Sequence, residues 1–303
     1  MLLGGVMLLA TASAAADASP IERRIAARLT SFAGLMGVAA THLGTGETIA
    51  VNADTRFPTA SAIKTAVMVE TFHQIASGRL RKDQLLTLTD EMKVGGSGVL
   101  HSLHGGTQLQ VADLLYLMIA VSDNTATNML IGAVGTRNVD DRMAAYGLPL
   151  TRLYRPTFRG GHPDVFPEEE KEFGLGSSTP REMARLMELI ARGKAVSREA
   201  SEEMVGLLEK QQYRDMIPRS LPGAEAGVKV ANKTGQDEEK LPDAAGILGA
   251  VRVDAAIVTT PKGRYVLAVF ARWVKDTRWS LDNDAFVTGA EISRMVFDYF
   301  DGR

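Results

Sequence analysis

The hydrophobic pattern of this chain changes period twice, and that constrains the fold more than any other feature. Near the N-terminus, GLMGVAATHL and ETIAVNAD flank Gly44-Thr45-Gly46 and read as a β-hairpin. From Ser61 to about Pro222 the apolar residues recur at helical spacing. Beyond Pro222 the runs GVKVANKTG, AAGILGAVRVDAAIVTT and GRYVLAVFARW are β-rich, with Pro261-Lys262-Gly263 as a turn. Strands at both ends and helices between them leave one economical architecture. The expected fold is α/β (α+β): an antiparallel sheet built from residues 20–60 and 223–303 with flanking helices, and an all-helical domain, residues 61–222, inserted between its second and third strands. An active site is expected in the crevice between the two parts.

Helix signals within this frame are local. SPIERRIAARLTSFAG places Ile21, Ile25, Ala26, Leu29 and Phe32 on one stripe. VADLLYLMIAV is apolar almost all round and reads as a buried helix. Gly135 and Gly147 suit C-caps. In STPREMARLMELIARG, Thr179 is an N-cap, Pro180 sits in the first turn and Glu182 follows three on, a capping box with an N1 proline. SREASEEMVGLLEKQQ and DAFVTGAEISRMVFDYF complete the set.

Composition narrows the chemistry. With 45% hydrophobic and 23% charged residues in 303, the chain is an ordinary globular mix, long enough for one large or two smaller domains. A net charge of −2 gives no electrostatic reason to bind nucleic acid or anionic lipid. The absence of cysteine excludes disulfides, thiolate catalysis, Cys-ligated zinc and a lipid-anchored cysteine. His101 and His104 lack an apparent third ligand, so no metal is expected, and no cofactor. Residues 1–16, an apolar run followed by Ala-Ser-Ala and Ala-Ala-Ala, read as a secretory signal peptide. The mature protein is therefore expected in the periplasm or outside the cell, without a membrane anchor and as a monomer.

Three short motifs carry chemistry. Ser61 and Lys64 stand three apart at the start of an apolar helical run, where i and i+3 share a face. A partly desolvated lysine beside a serine hydroxyl can remove its proton and make it a nucleophile. Ser122-Asp123-Asn124 follows the buried helix, and Lys233-Thr234-Gly235 lies on a strand. One S-x-x-K arises by chance in a chain of this length; all three motifs in this order do not.

With these motifs, and with FPTASAIK, SDNTATNML, TPREMARLM, LPGAEAGVKVANKTG and DAAIV, the sequence resembles the class A β-lactamase family and, more broadly, the penicillin-binding serine transferases. The resemblance covers nearly the whole mature chain. It implies acyl transfer from a β-lactam or a peptidoglycan stem peptide, with Ser61 as nucleophile and Lys64 as its base or proton shuttle. Ser122 would pass a proton to the leaving nitrogen, and Lys233 would polarise Ser122 and attract the substrate carboxylate. Asn124 would bind the acyl side-chain amide and Thr234 the carboxylate. Gly235 would allow close backbone approach, and the backbone N–H groups of Ser61 and Gln236 would form the oxyanion hole. Asp123 reads as a brace for its loop.

The sequence departs from the family in two places. The glutamate that activates the deacylating water belongs to an E-x-x-x-N pattern; the corresponding loop, LYRPTFRGGHPDVFPEEEKEFGLGSSTP, has none, and the family's interval from Asn124 lands near Phe158. Glu168, Glu169, Glu170 and Glu172 come later, in a charge run that reads as a solvated face. The arginine that anchors the substrate carboxylate is also missing near Ala255, leaving Arg214, Arg219, Arg252 and Arg272 as substitutes. Three functions remain open at this stage: a class A-type serine β-lactamase, a D-Ala–D-Ala carboxypeptidase or transpeptidase that deacylates slowly, and a non-catalytic β-lactam or muropeptide receptor.

Overall fold

The computed structural model describes residues 18–158 and 166–302. The leader expected at 1–16 and the glycines Gly160-Gly161 lie outside the described residues. Nine helices are described, α1 (Pro20–Leu29), α2 (Lys64–Ala76), α3 (Val111–Ala120), α4 (Asn124–Val134), α5 (Thr136–Ala145), α6 (Pro167–Phe173), α7 (Pro180–Ala191), α8 (Arg198–Leu208) and α9 (Asp284–Asp301). The main sheet comprises β1 (Leu35–His42), β2 (Thr48–Val51), β8 (Lys229–Glu238), β9 (Ala250–Thr260) and β10 (Gly263–Val274), in the order β2-β1-β10-β9-β8. All its pairings are antiparallel. The insert between β2 and β8 is helical apart from two small ribbons, β4 (Leu85–Thr87) with β5 (Gln108–Gln110), and β3 (Phe57–Pro58), β7 (Gly176–Ser178) and β6 (Arg152–Leu153). Strands of two or three residues carry too little alternation to show in sequence.

Strand alternation divides the interior into two cores. Val251, Val253, Ala255 and Ile257 of β9 face a cluster that takes in α2, α3, α4 and α7. Ala250, Ala256 and Val258 face a second cluster closed by Ile21, Ile25 and Phe32 from the N-terminal segment and by Phe286, Ile292 and Val296 of α9. The sheet is thus buried on both faces, and its edge strand β8 is left beside the insert. Local detail differs from the sequence reading in three places. Ala26 is exposed, so the α1 stripe is narrower than expected. The helix α3 is not buried all round: Asp113 is exposed and Tyr116 is half-exposed. Thr179 caps α7 by accepting from Glu182 N, but the Glu182 carboxylate turns to Leu150 N and Thr151 Oγ1 instead of closing the box. The ladder of tertiary contacts offered better partners than the local one.

Candidate active site

Ser61 lies in a 3-10 turn, Ala60–Ile63, that leads directly into α2. Ala60 precedes it at φ 43°, a left-handed conformation that costs a non-glycine residue on the order of 1–3 kcal/mol. The turn is pressed against β8. A Cβ on Gly235 would meet Thr59 O, Val253 Cγ2 at 2.7 Å and Ala62 N at 2.9 Å. The close approach that requires this glycine is therefore made by the turn bearing Ser61, rather than by substrate alone.

Lys64, one turn on, is wholly buried. Its Nζ donates to Ser122 O at 2.6 Å, Ser122 Oγ at 3.1 Å and Asn124 Oδ1 at 2.8 Å. These three partners occupy its amino group, so the expected Ser61–Lys64 contact gives way to a Lys64–Ser122 contact; such bonds tighten on substrate binding. Burial first, then the Lys233 charge, pushes the Lys64 pKa well below the ordinary 10.5, against a pull from Asp123. Lys233, also wholly buried, donates to the same Ser122 Oγ at 3.0 Å and to Thr234 O at 2.8 Å. Burial lowers its pKa to about 7, opposed by Asp254. One hydroxyl thus joins two lysines, both with pKa values lowered by burial.

The turn that delivers Ser122 is held from three sides. Ser122 is at φ 56°, another left-handed non-glycine residue. Asp123 caps α4 through Ala126 N and accepts from Val99 N at 2.6 Å and Leu100 N at 2.9 Å. This is the bracing role read from the sequence, extended to a second loop. Asn124 Nδ2 donates to Gly95 O. Ser61, Ser122, Asn124, Thr234, Gly235 and Gln236 line one cleft of about 590 Å³, a size suited to a small-molecule substrate.

Phe158 lines that cleft too. Its segment is fixed by Asn128, whose side-chain amide donates to Thr157 O at 3.1 Å and accepts from Thr157 N at 2.7 Å. The glutamates downstream are occupied elsewhere. Glu169 binds Arg56, Arg152 and Tyr154; Glu170 pairs with Arg155, Glu172 with Arg272 and Glu168 with Lys171. The expected solvated face is, apart from Glu168, a set of ion pairs that pins α6. Among the described residues, the acids on the cleft wall are Asp237 and Glu238, which the sequence reading passed over; Asp237 is paired with Lys240.

Of the candidate anchor arginines, three are committed. Arg272 makes a bidentate pair with Glu239, Arg252 is wholly buried among carbonyl oxygens, and Arg219 donates to Leu281 O. Arg214 is exposed beside Tyr213 of the cleft wall, with one long bond of 3.5 Å to Val230 O.

Comparison with known proteins identifies the family. Residues 20–300 match the family described as the β-lactamase enzyme family. A β-lactamase from Streptomyces cellulosae is 30% identical over 280 residues, covering 88% of this chain and 83% of its own. Among solved structures, a β-lactamase from Sphaerobacter thermophilus superposes with a TM-score of 0.78 at 31% identity, covering 93% and 97% of the two chains. PBP-A reaches the same TM-score at 26% identity, covering 94% and 97%, and a PBP-A mutant has been solved as an acyl-enzyme complex with penicillin G. The chain belongs to the β-lactamase enzyme family, as a serine hydrolase of class A-like type.

Proposed function

We propose that Ser61 opens β-lactams by forming an acyl-enzyme, and that release of the acyl group is the slow step. The observation that carries this reading is the buried Lys64–Ser122–Lys233 chain behind Ser61. In acylation Ser61 Oγ bonds to the lactam carbonyl carbon and its proton passes to neutral Lys64. The C–N bond then breaks while Ser122 delivers a proton to the nitrogen and recovers one from the lysines. The N–H groups of Ser61 and Gln236 would take the developing oxyanion. Lys233 and Thr234 would hold the substrate carboxylate with Arg214, and Asn124 the side-chain amide.

Deacylation needs a base for water. Phe158 stands on the cleft wall near where the family places its glutamate, and the loop glutamates are ion-paired away from it. A long-lived adduct follows. The acyl-enzyme of the PBP-A mutant with penicillin G supports the choice of ligand. Export with loss of residues 1–16 belongs to the same reading and rests on the form of the leader, and action as a monomer is part of the proposal.

Intact-protein mass spectrometry after mixing with penicillin G tests it. The wild type should gain one penicilloyl mass that persists for minutes, and Ser61→Ala should gain none. An adduct of equal yield on Ser61→Ala, in a folded protein, rules the assignment out.

A further inference from the structure

The cleft carries two large exposed aromatic rings, one on each side. Phe158, from the helical insert, is 65% exposed, and Trp279, from the loop between β10 and α9, is 63% exposed. An exposed ring on a concave wall next to a reactive serine has a ligand-binding explanation that a scattered surface residue does not need.

Trp279 is held in place from beneath. The Arg252 guanidinium packs against its ring at 4.5 Å from the centroid. That guanidinium also donates to Asp237 O at 3.1 Å, at the end of β8, and to Arg278 O at 3.1 Å, the residue before Trp279. Asn283 Nδ2 donates to Asp276 O at 2.8 Å and Arg278 O at 2.9 Å, and Arg278 pairs with Asp276 at 2.8 Å. The loop is therefore tied to the substrate-binding strand and to itself. One face of the indole rests on a buried cation while most of the ring remains in solvent. A ring fixed before binding loses little conformational freedom when a ligand covers it.

We infer that Trp279 is a specificity-determining residue, a fixed aromatic platform for an aryl group on the acyl arm of the substrate. This rests on the acyl-serine reading above and adds the chemical class of the arm. Stacking of one aromatic pair changes affinity by about fivefold, so discrimination should appear as a difference between substrates with and without the aryl group.

The test compares the second-order rate of adduct formation with penicillin G and with the bare penam nucleus, which carries a free amine in place of the arm. Trp279→Ala should slow penicillin G by about fivefold, leave the bare nucleus unchanged, and be rescued by Trp279→Phe. No loss on penicillin G, or an equal loss on both compounds, overturns the inference. Absence of any wild-type adduct would instead defeat the acyl-serine reading. In that case, indole fluorescence of Trp273→Phe protein titrated with phenylacetylglycine still decides the matter: a saturable change supports the platform, and a flat titration refutes it.

Discussion

Gly235→Ala isolates the contact between the substrate-binding strand and the turn that carries Ser61. Gly235 does not occupy the left-handed region, so an alanine there incurs no backbone strain. Its cost is steric. The new methyl would lie 2.7 Å from Val253 Cγ2 and 2.9 Å from Ala62 N, and closer still to Thr59 O. Ordinary contact begins near 3.4 Å, so β8 and the turn must separate by about half an ångström at Ala62 N and by about 1 Å at Thr59 O. Two of the three atoms are backbone and cannot rotate away. Overpacking of this kind costs roughly 1–3 kcal/mol. The same shift moves Ser61 Oγ and its N–H relative to Gln236 N–H. A misplacement near 1 Å costs about 10²-fold in rate, so acylation should slow by roughly tenfold to 10²-fold. Urea unfolding gives the first quantity, and the rate of penicillin adduct formation gives the second. Gly206→Ala is the control: it sits in α8 with open space around its Cβ and should gain up to about 1 kcal/mol without touching the rate. If Gly235→Ala keeps the wild-type rate and midpoint, the strand does not set the position of the nucleophile turn.

Other perturbations follow from the site. Lys64→Arg keeps the charge but cannot yield a proton, so acylation should slow by at least about 10²-fold; an unchanged rate would make Lys64 merely electrostatic. Phe158→Glu should shorten the adduct lifetime by placing a carboxylate on the cleft wall, whereas Glu169→Gln should leave the lifetime alone and lower stability by about 1–2 kcal/mol through its bonds to Arg56, Arg152 and Tyr154. A stalled adduct in Glu169→Gln, against fast wild-type turnover, would reverse both expectations. Urea midpoints should also depend on pH through buried groups, Lys233 and Asp254 among them. Lys233 is held at about 7 against 10.5, so between those values the unfolded chain binds more protons and stability rises with pH. Asp254 is raised by burial from 3.8 to about 7, so across that lower window the folded protein holds the extra proton and stability falls as pH rises. Lys233→Met should reduce the upper slope, which the lowered pKa of Lys64 shares, and Asp254→Asn the lower one, which Asp140, also raised to about 7 by burial, shares; slopes unchanged by these substitutions would assign them to the other groups.

The sequence by itself determined the order of elements and singled out the three motifs whose residues meet at the cleft. Strands at the two ends and a helical stretch between them are written in hydrophobic period, which is a local property. So is a serine three residues before a lysine, and Thr179 ahead of Pro180. The motifs around Ser61, Ser122 and Lys233 were legible because each is contiguous. Tertiary structure decided everything that depends on which distant groups meet. It turned Lys64 toward Ser122 and Asn124, some sixty residues away, where burial and the Lys233 charge lower its pKa. It spent Arg272 on Glu239 and Arg252 on backbone carbonyls, leaving Arg214 exposed, next in the chain to Tyr213 of the cleft wall. It drew Glu169 to Arg56 and put Phe158 on the wall, although both belong to one loop. It gave Gly235 its reason, a neighbouring turn that arrives from the other end of the chain. Each of these outcomes is set by burial and by competition among partners across the fold, and neither quantity exists until the chain has closed on itself.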